Sequence, residues 1–244
     1  MGGSVMRGCV TQAVRALWIG TCCLLASGCM PHATIWNYLV ESYQPTSQPL
    51  TQKRLVVPPF KDSRPTTNED AGALIYIPLM PYGWLDYALP EGAFAFAVEL
   101  VPVHQFRPKD DLARAAADEL RASGIFKEVN AAPRAIEGDL VLHGEIKSTR
   151  YYAILLSYGL SIAAGFPWLI GLPAGKVINE LVVEFSFEDS GTSTVLWRKR
   201  YEEKYQATIW MPYSLPRQFD YAAMYKTMLR DVVQNLRQEL TSRP

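Results

Sequence analysis

Cysteine is absent from the sequence after Cys29, although four cysteines occur up to that point, at positions 9, 22, 23 and 29. The rest of the chain can therefore form neither a disulfide bond nor a cysteine-ligated metal site within itself. Histidine is also scarce, since only His32, His104 and His143 are present and no HExxH pair occurs. This scarcity argues against a histidine-based metal centre, and we expect no metal and no cofactor.

Sequence motifs of catalysis are missing as well. The chain contains neither a glycine-rich phosphate loop nor a GxSxG nucleophile turn. We therefore expect a protein that binds rather than catalyses. An envelope hydrolase stays open as an alternative, because catalytic groups need not be neighbours in sequence.

Charge is almost absent from the stretch 1–28, where Arg7 and Arg15 are the only charged side chains. The uncharged segment 16–26, ALWIGTCCLLA, has the length of the apolar region of a secretory signal peptide and is too short to span a bilayer. We predict that 1–28 is a signal peptide, with an ordinary signal or an uncleaved anchor as alternatives.

The residues around Cys29 resemble the lipobox of bacterial lipoproteins. Leu25, Ala26, Ser27 and Gly28 precede this cysteine directly. The resemblance implies that Cys29 is lipidated and becomes the mature amino terminus. Met30 follows where an Asp would imply retention in the inner membrane, so the expected location is the outer membrane, facing the periplasm.

The mature chain, 29–244, is close to neutral. It keeps 22 Lys and Arg against 24 Asp and Glu, a formal charge of −2, so nothing in it attracts nucleic acid electrostatically. Residues 29–52 are rich in Pro, Ser, Thr and Gln, which predicts a flexible tether. Residues 53–244 have the length of one domain.

Apolar periodicity predicts an α+β domain with a mixed, mostly antiparallel sheet and two helices packed on one face. Helices are predicted at 110–124, ended by Gly124, and at about 217–240. Their apolar stripes are Leu112, Ala116 and Leu120, with Ala113 beside them, in the first helix, and Tyr225, Leu229, Val232, Leu236 and Leu240 in the second. Strands are predicted at 55–57, 93–101, 125–129, 139–147 and 180–189, the last forming a hairpin with 194–205. Residues 61–70 and 76–90 are predicted to be loops, the second of them rich in aromatic residues and proline.

Three of these segments together resemble the amino-terminal domain of TolB and the curli-secretion lipoprotein family. They are RLVVPPFKDSR, LARAAADELRASGIFKEV and GDLVLHGEI. The resemblance covers about half of the mature chain and implies a fold rather than an activity, because the shared motifs are structural. Those families offer no catalytic residue to transfer.

Residues 151–175 form an uncharged insert, flanked by Arg150 and Lys176. Its four glycines and two prolines argue against a membrane span. Its first half fits both a strand and a helix, and we predict a hydrophobic hairpin that leaves the sheet and returns. The candidate membrane- or partner-binding residues are Tyr152, Ile154, Leu156, Tyr158, Leu160, Ile162, Phe166, Trp168, Ile170, Leu172 and Trp84.

Three interpretations of this insert stay open. The hairpin could fold over the domain's own core beneath the aromatic loop 76–90, or contact a membrane or an envelope protein. In a third interpretation it supplies barrel strands to an oligomeric pore or secretion component. We expect a lipid-anchored, non-catalytic assembly or transport accessory, with a homo-oligomer as one of its states.

Overall fold

The computed structural model describes residues 36–43, 48–90, 106–132, 138–210 and 221–242. The strands in these ranges are β1 Thr51–Val57, β2 Lys61–Asp62, β3 Asn68–Asp70, β4 Tyr82–Tyr87, β5 Phe126–Ala131, β6 Leu140–Ser148, β7 Tyr151–Leu156, β8 Gly175–Asp189 and β9 Thr194–Ile209. The helices are α1 Pro108–Ala122, α2 Gly165–Leu169 and α3 Tyr221–Ser242, with 3₁₀ turns at Gly72–Tyr76 and Ser161–Ala164.

The strands form one mixed sheet that branches around β8. Strand β9 pairs antiparallel with β8 over its whole length. On the other side of β8, β6 pairs with residues 182–189 and β7 pairs with residues 175–179. Beyond β6 lie the parallel strands β1 and β5, and beyond β7 lie the antiparallel strands β4 and β3. The predicted α+β class and mixed sheet are confirmed.

The branch point lies at Thr149 and Arg150, between β6 and β7. Strands β6 and β7 lie on the same side of β8, and both run antiparallel to it. The chain that passes from β6 into β7 therefore runs alongside β8 from residue 189 towards residue 175. The sheet therefore has two ends: one holds the β8–β9 turn, and the other holds the end of β7 and the start of β8.

Helix α1 forms where the sequence predicts a helix. Pro108 is its first residue, where the missing N–H costs nothing. The carboxylate of Asp111 accepts a hydrogen bond from the backbone N–H of Arg107 at 2.7 Å. The helix ends at Ala122, and Gly124 beyond it adopts a φ of +66°. Its predicted apolar stripe is buried, at Leu112, Ala113, Ala116 and Leu120.

The main core lies between the sheet and the two long helices. Alternate residues of β8, Leu181, Val183, Phe185 and Phe187, are completely buried in it. Helix α3 contributes its predicted stripe, of which Tyr225, Leu229, Val232 and Leu236 are buried and Leu240 is partly buried. The hydroxyl of Tyr225 donates to the carbonyl of Leu112 at 2.9 Å, which fixes α3 against α1.

Two of the predicted loops contain strands. Residues 61–70 include β2 and β3, and residues 82–87 of the predicted aromatic loop form β4. Strand β4 lies between β3 and β7. Its aromatic residues Tyr82 and Trp84 lie on one face of the sheet and Tyr87 lies on the other. The proline spacing hid this strand, because Pro81 and Pro90 bound a segment too short to show a clear period.

The insert contains both kinds of structure that its pattern left open. Residues 151–156 form β7, and residues 161–169 form the 3₁₀ turn and α2 before β8 begins at Gly175. A third helix therefore joins the two that were predicted. The predicted strand 93–101 lies outside the described residues.

Residues 36–43 lie in the predicted tether, yet they pack against the domain as an N-terminal strap. Trp36, Tyr38 and Tyr43 contact the main core. The carboxylate of Glu119, completely buried, accepts the hydroxyls of Tyr38 at 2.7 Å and Tyr43 at 2.6 Å. Burial and the hydrogen bond to Glu119 raise the pKa of both tyrosines well above its usual value, so each remains a neutral donor.

Candidate interaction surface at one end of the sheet

The end of the sheet beyond β7 is built from two segments distant in sequence, 76–82 and 157–172. The backbone N–H of Leu79 donates to the carbonyl of Gly159 at 3.0 Å, and the N–H groups of Ser157 and Tyr158 both donate to the carbonyl of Pro81. The hydroxyl of Ser161 also donates to the carbonyl of Tyr76. These bonds join the two segments into one body.

This body exposes large apolar side chains, and we call it the apolar tip. Leu79 is 88% exposed, Ile162 89%, Ile170 81% and Phe166 71%. The other exposed members are Tyr76, Ile77, Tyr82, Tyr158, Leu160, Leu169 and Leu172. The stretch 151–175 contributes no charge to it. Soluble monomers rarely expose so many large apolar side chains on neighbouring segments, so the apolar tip is the candidate interaction surface.

A small second core supports the tip. It consists of Ile75, Leu155, Ala174 and Ile209, with Trp168 packed against it. The indole N–H of Trp168 donates to the carbonyl of Leu156 at 2.9 Å, which ties α2 to the end of β7. The hydroxyl of Tyr158 donates to the carbonyl of Pro173 at 2.7 Å. The exposed side chains therefore project from a hydrogen-bonded base.

Backbone strain is concentrated in the tip. Leu79, Tyr158 and Ser161 adopt φ angles of +68°, +57° and +54°. In residues with a Cβ this left-handed conformation costs roughly 1–2 kcal/mol each, and Leu is a poor choice for it. The side chain of Leu79 is 88% exposed, so its burial offsets little of this strain. Backbone strain of this kind clusters at functional sites, which makes Leu79 a candidate residue for contact with a partner.

A charged pair lies at the start of β7. The guanidinium of Arg150 donates to both carboxylate oxygens of Asp86, which raises the pKa of Arg150. It also lies 5.5 Å from the ring centroid of Tyr152. This ion pair therefore lies at the branch point, at the opposite end of β7 from the apolar tip.

The sequence-predicted site residues divide into two groups. Tyr158, Leu160, Ile162, Phe166, Ile170 and Leu172 are exposed in the tip. Tyr152, Ile154, Leu156, Trp168 and Trp84 are partly buried, and Ile154 lies directly opposite Trp84 in the β4–β7 pair. This second group forms part of the sheet and the base of the tip. Cys29 lies outside the described residues.

Sequence reasoning expected the aromatic loop 76–90 to share the working surface with the insert, but it did not select the residues of that loop that are exposed. Tyr76, Ile77, Leu79 and Tyr82 are exposed beside the insert, whereas only Trp84 was selected there. Leu169 was also missed. The available signal was the aromatic, proline-rich composition of 76–90, which predicted that the segment either covers or presents apolar surface.

Within the described ranges there is no cluster of three or more His, Cys, Asp or Glu able to hold a metal ion. His143 lies on the polar face of β6 with its Nε2 3.6 Å from the Oε2 of Glu188. None of the helices described is long and apolar enough to cross a membrane. The pore-forming and hydrolase alternatives stay predictions.

No family model and no curated protein matches the chain. A family-DUF330 protein from Xanthomonas campestris is similar in structure, with 14% identity over 84% of this chain and 93% of its own and a TM-score of 0.42. PelC from Paraburkholderia phytofirmans, solved as a dodecamer, is 15% identical over 83% of this chain and 95% of its own, with a TM-score of 0.36. A provisionally named lipoprotein from Caulobacter crescentus is 12% identical over 54% of this chain and 83% of its own, with a TM-score of 0.32. All three TM-scores lie below 0.5, so the likeness is distant. The predicted resemblance to TolB stays a prediction.

Proposed function

We propose that this protein is a lipid-anchored lipoprotein of the bacterial envelope that works as a non-catalytic assembly or transport accessory. The observation that carries the proposal is the apolar tip, with Leu79, Ile162, Phe166 and Ile170 between 71% and 89% exposed. Exposed apolar surfaces of this kind usually mark interaction sites, which supports a function in binding.

The energetics favour a covered tip. Burying apolar surface stabilises by about 25 cal/mol per Å², so several hundred Å² covered by lipid or protein contributes on the order of 10 kcal/mol before ordering costs. Because the described parts of the domain leave these side chains exposed, we assign the cover to a membrane or an envelope partner. The expected homo-oligomer belongs to the same set of partners.

The predicted lipid on Cys29 supports the envelope location. A lipidated cysteine restricts the protein to a membrane surface and raises the local concentration of whatever the tip binds there. The outer membrane, with the domain in the periplasm, follows from Met30 after the cysteine.

A photocrosslinker at Ile162 in cells tests the function, because this side chain is the most exposed of the tip. The matched control is a photocrosslinker at Val195, which is also exposed but lies at the opposite end of β8 and β9. We expect lipid or protein adducts from position 162 that are absent from position 195. Equal capture at both positions, or only intramolecular products at 162, would contradict the proposal.

The anchor has its own test. Metabolic labelling with a radioactive fatty acid should mark the native protein and leave the Cys29→Ala variant unlabelled. Label in both proteins, or in neither, would remove the envelope anchor from the proposal.

A further inference from the structure

The strap enters the domain at the level of the branch point. The ring of Trp36 stacks on Phe106, with centroids 4.7 Å apart, and Phe106 stacks on Tyr221 at 5.6 Å. The hydroxyl of Tyr221 donates to the carbonyl of Thr149 at 2.8 Å. This chain of contacts places Trp36 close to where β6 passes into β7.

From Trp36 the strap runs away from the apolar tip. Tyr38 and Tyr43 reach Glu119, in the last turn of α1, and Glu41 pairs with Arg230 of α3. The last turn of α1 lies at the far end of the domain, because Ile125 just after it bonds to Thr51 at the start of β1. Trp36 is therefore the strap residue on the side of the tip.

Covalent geometry then limits where the predicted anchor lies. Cys29 is seven positions before Trp36, and an extended chain covers at most about 3.6 Å per residue, or about 25 Å. Strand β7, Tyr151–Leu156, rises about 20 Å from the branch point towards the tip. The reach of the lipidated cysteine therefore includes the level of the tip.

We propose that the apolar tip inserts into the same bilayer leaflet that holds the lipid on Cys29, so that the domain touches the membrane at two points. This inference rests on the lipid anchor of the proposed function and names lipid, rather than a protein, as the partner of the tip. It places the β8–β9 turn at the end of the domain furthest from the membrane.

The tip exposes the types of side chain that a bilayer surface favours. The most exposed ones are aliphatic, Leu79, Ile162 and Ile170. Tyrosines, which combine an apolar ring with a polar hydroxyl, are only about half as exposed, at Tyr76, Tyr82 and Tyr158. Aromatic residues of this kind favour the headgroup level, whereas aliphatic side chains favour the acyl region.

The two charged residues that bound the uncharged stretch 151–175 lie in or next to the sheet. Arg150 lies between β6 and β7, and Lys176 is the second residue of β8, paired with Ile154. The insert therefore offers exposed apolar side chains with no charge among residues 151–175, which an interfacial segment needs to avoid burying a charge in lipid.

Site-directed spin labelling tests the insertion. The predicted mature chain has no free thiol, so Ile162→Cys introduces a unique labelling site in the full lipidated protein. Val195→Cys is the matched control on an exposed position at the far end. The proteins are reconstituted in vesicles of phosphatidylethanolamine and phosphatidylglycerol, and collisions of each label with oxygen and with a water-soluble nickel complex are measured.

We expect the label at 162 to collide preferentially with oxygen, which concentrates in lipid, and the label at 195 to collide preferentially with nickel. Equal nickel accessibility at the two positions would overturn the inference. So would a label at 162 shielded from both reagents, because this result indicates a protein contact.

These experiments distinguish a failure of the proposed function from a failure of the proposed membrane insertion. If Cys29 carries lipid and position 162 crosslinks a protein in cells while its label remains in water on vesicles, the accessory function stands and the insertion is wrong. If Cys29 carries no lipid, the proposed envelope function falls first.

Discussion

The two ends of this sheet use the same kinds of side chain for opposite purposes. Around β6, β1 and β5 the apolar residues are covered by α1 and α3, and Phe185 is completely buried against Phe60, Tyr201 and Tyr225. Beyond the branch point, where β7, β4 and β3 continue, the helical elements described are short turns. The apolar residues on these turns, such as Phe166, face outwards.

The comparison separates stability from function. The end with the long helices holds a large core and contains most of the residues that decide whether the chain folds. The tip has a small supporting core of its own and carries strain at exposed positions. Apolar residues therefore occur at both ends, in one case buried in the core that folds the domain and in the other exposed on the surface to which we assign partner binding.

The largest expected difference between the two ends comes from a pair of phenylalanines. Phe185→Ala should lower the free energy of unfolding by about 3–5 kcal/mol, since it leaves a cavity in the main core. Phe166→Ala should change it by no more than about 0.5 kcal/mol, because the ring is already exposed. Urea denaturation followed by circular dichroism measures both. A loss for Phe166→Ala as large as that for Phe185→Ala would show that the domain itself covers the tip.

A glycine pair tests how tightly the base of the tip is built. A Cβ at Gly83 would lie 2.7 Å from the carbonyl oxygen of Ala71 and 2.8 Å from that of Gly72. We expect Gly83→Ala to cost about 1–3 kcal/mol by separating β4 from the 3₁₀ turn at Gly72–Tyr76. Hydrogen exchange should show faster exchange in 71–87 than in α1.

The control for this variant is Gly165→Ala, since nothing lies within 4 Å of a Cβ at Gly165, the first residue of α2. It should leave the stability unchanged or slightly raised. If the two glycine variants behaved alike, the close packing between β4 and the 3₁₀ turn would be without consequence.

The smallest effect should have the opposite sign. Leu79→Asn places a residue that tolerates the left-handed conformation at φ +68°, so the free energy of unfolding should rise by about 1 kcal/mol or less. Ile170→Asn is the control, since this residue is similarly exposed but has an ordinary φ of −89°. Both variants should reduce crosslinking from the tip in cells, and only Leu79→Asn should stabilise the domain. Equal stability changes would mean that Leu79 stores no strain.

Prediction from sequence succeeded for the helices and strands whose apolar period repeats several times within the element itself. The stripe of α1, the alternation of β8 and the hairpin with β9 repeat over enough residues to show their period, and Gly124 marks a real helix end. It was less successful at the tip, because β4 is short and lies between prolines. It also placed Trp84 among the binding residues, although this side chain is partly buried opposite Ile154.

The sequence by itself determined the α+β class, the positions of the two long helices and the uncharged character of residues 151–175. These are local properties, set by the spacing of apolar residues and by the breakers that bound each segment. Only the tertiary structure decided which apolar residues are exposed and that 76–82 joins the insert. The physical reason is that burial depends on neighbours far apart in the chain, brought together by hydrogen bonds such as that between Leu79 and Gly159.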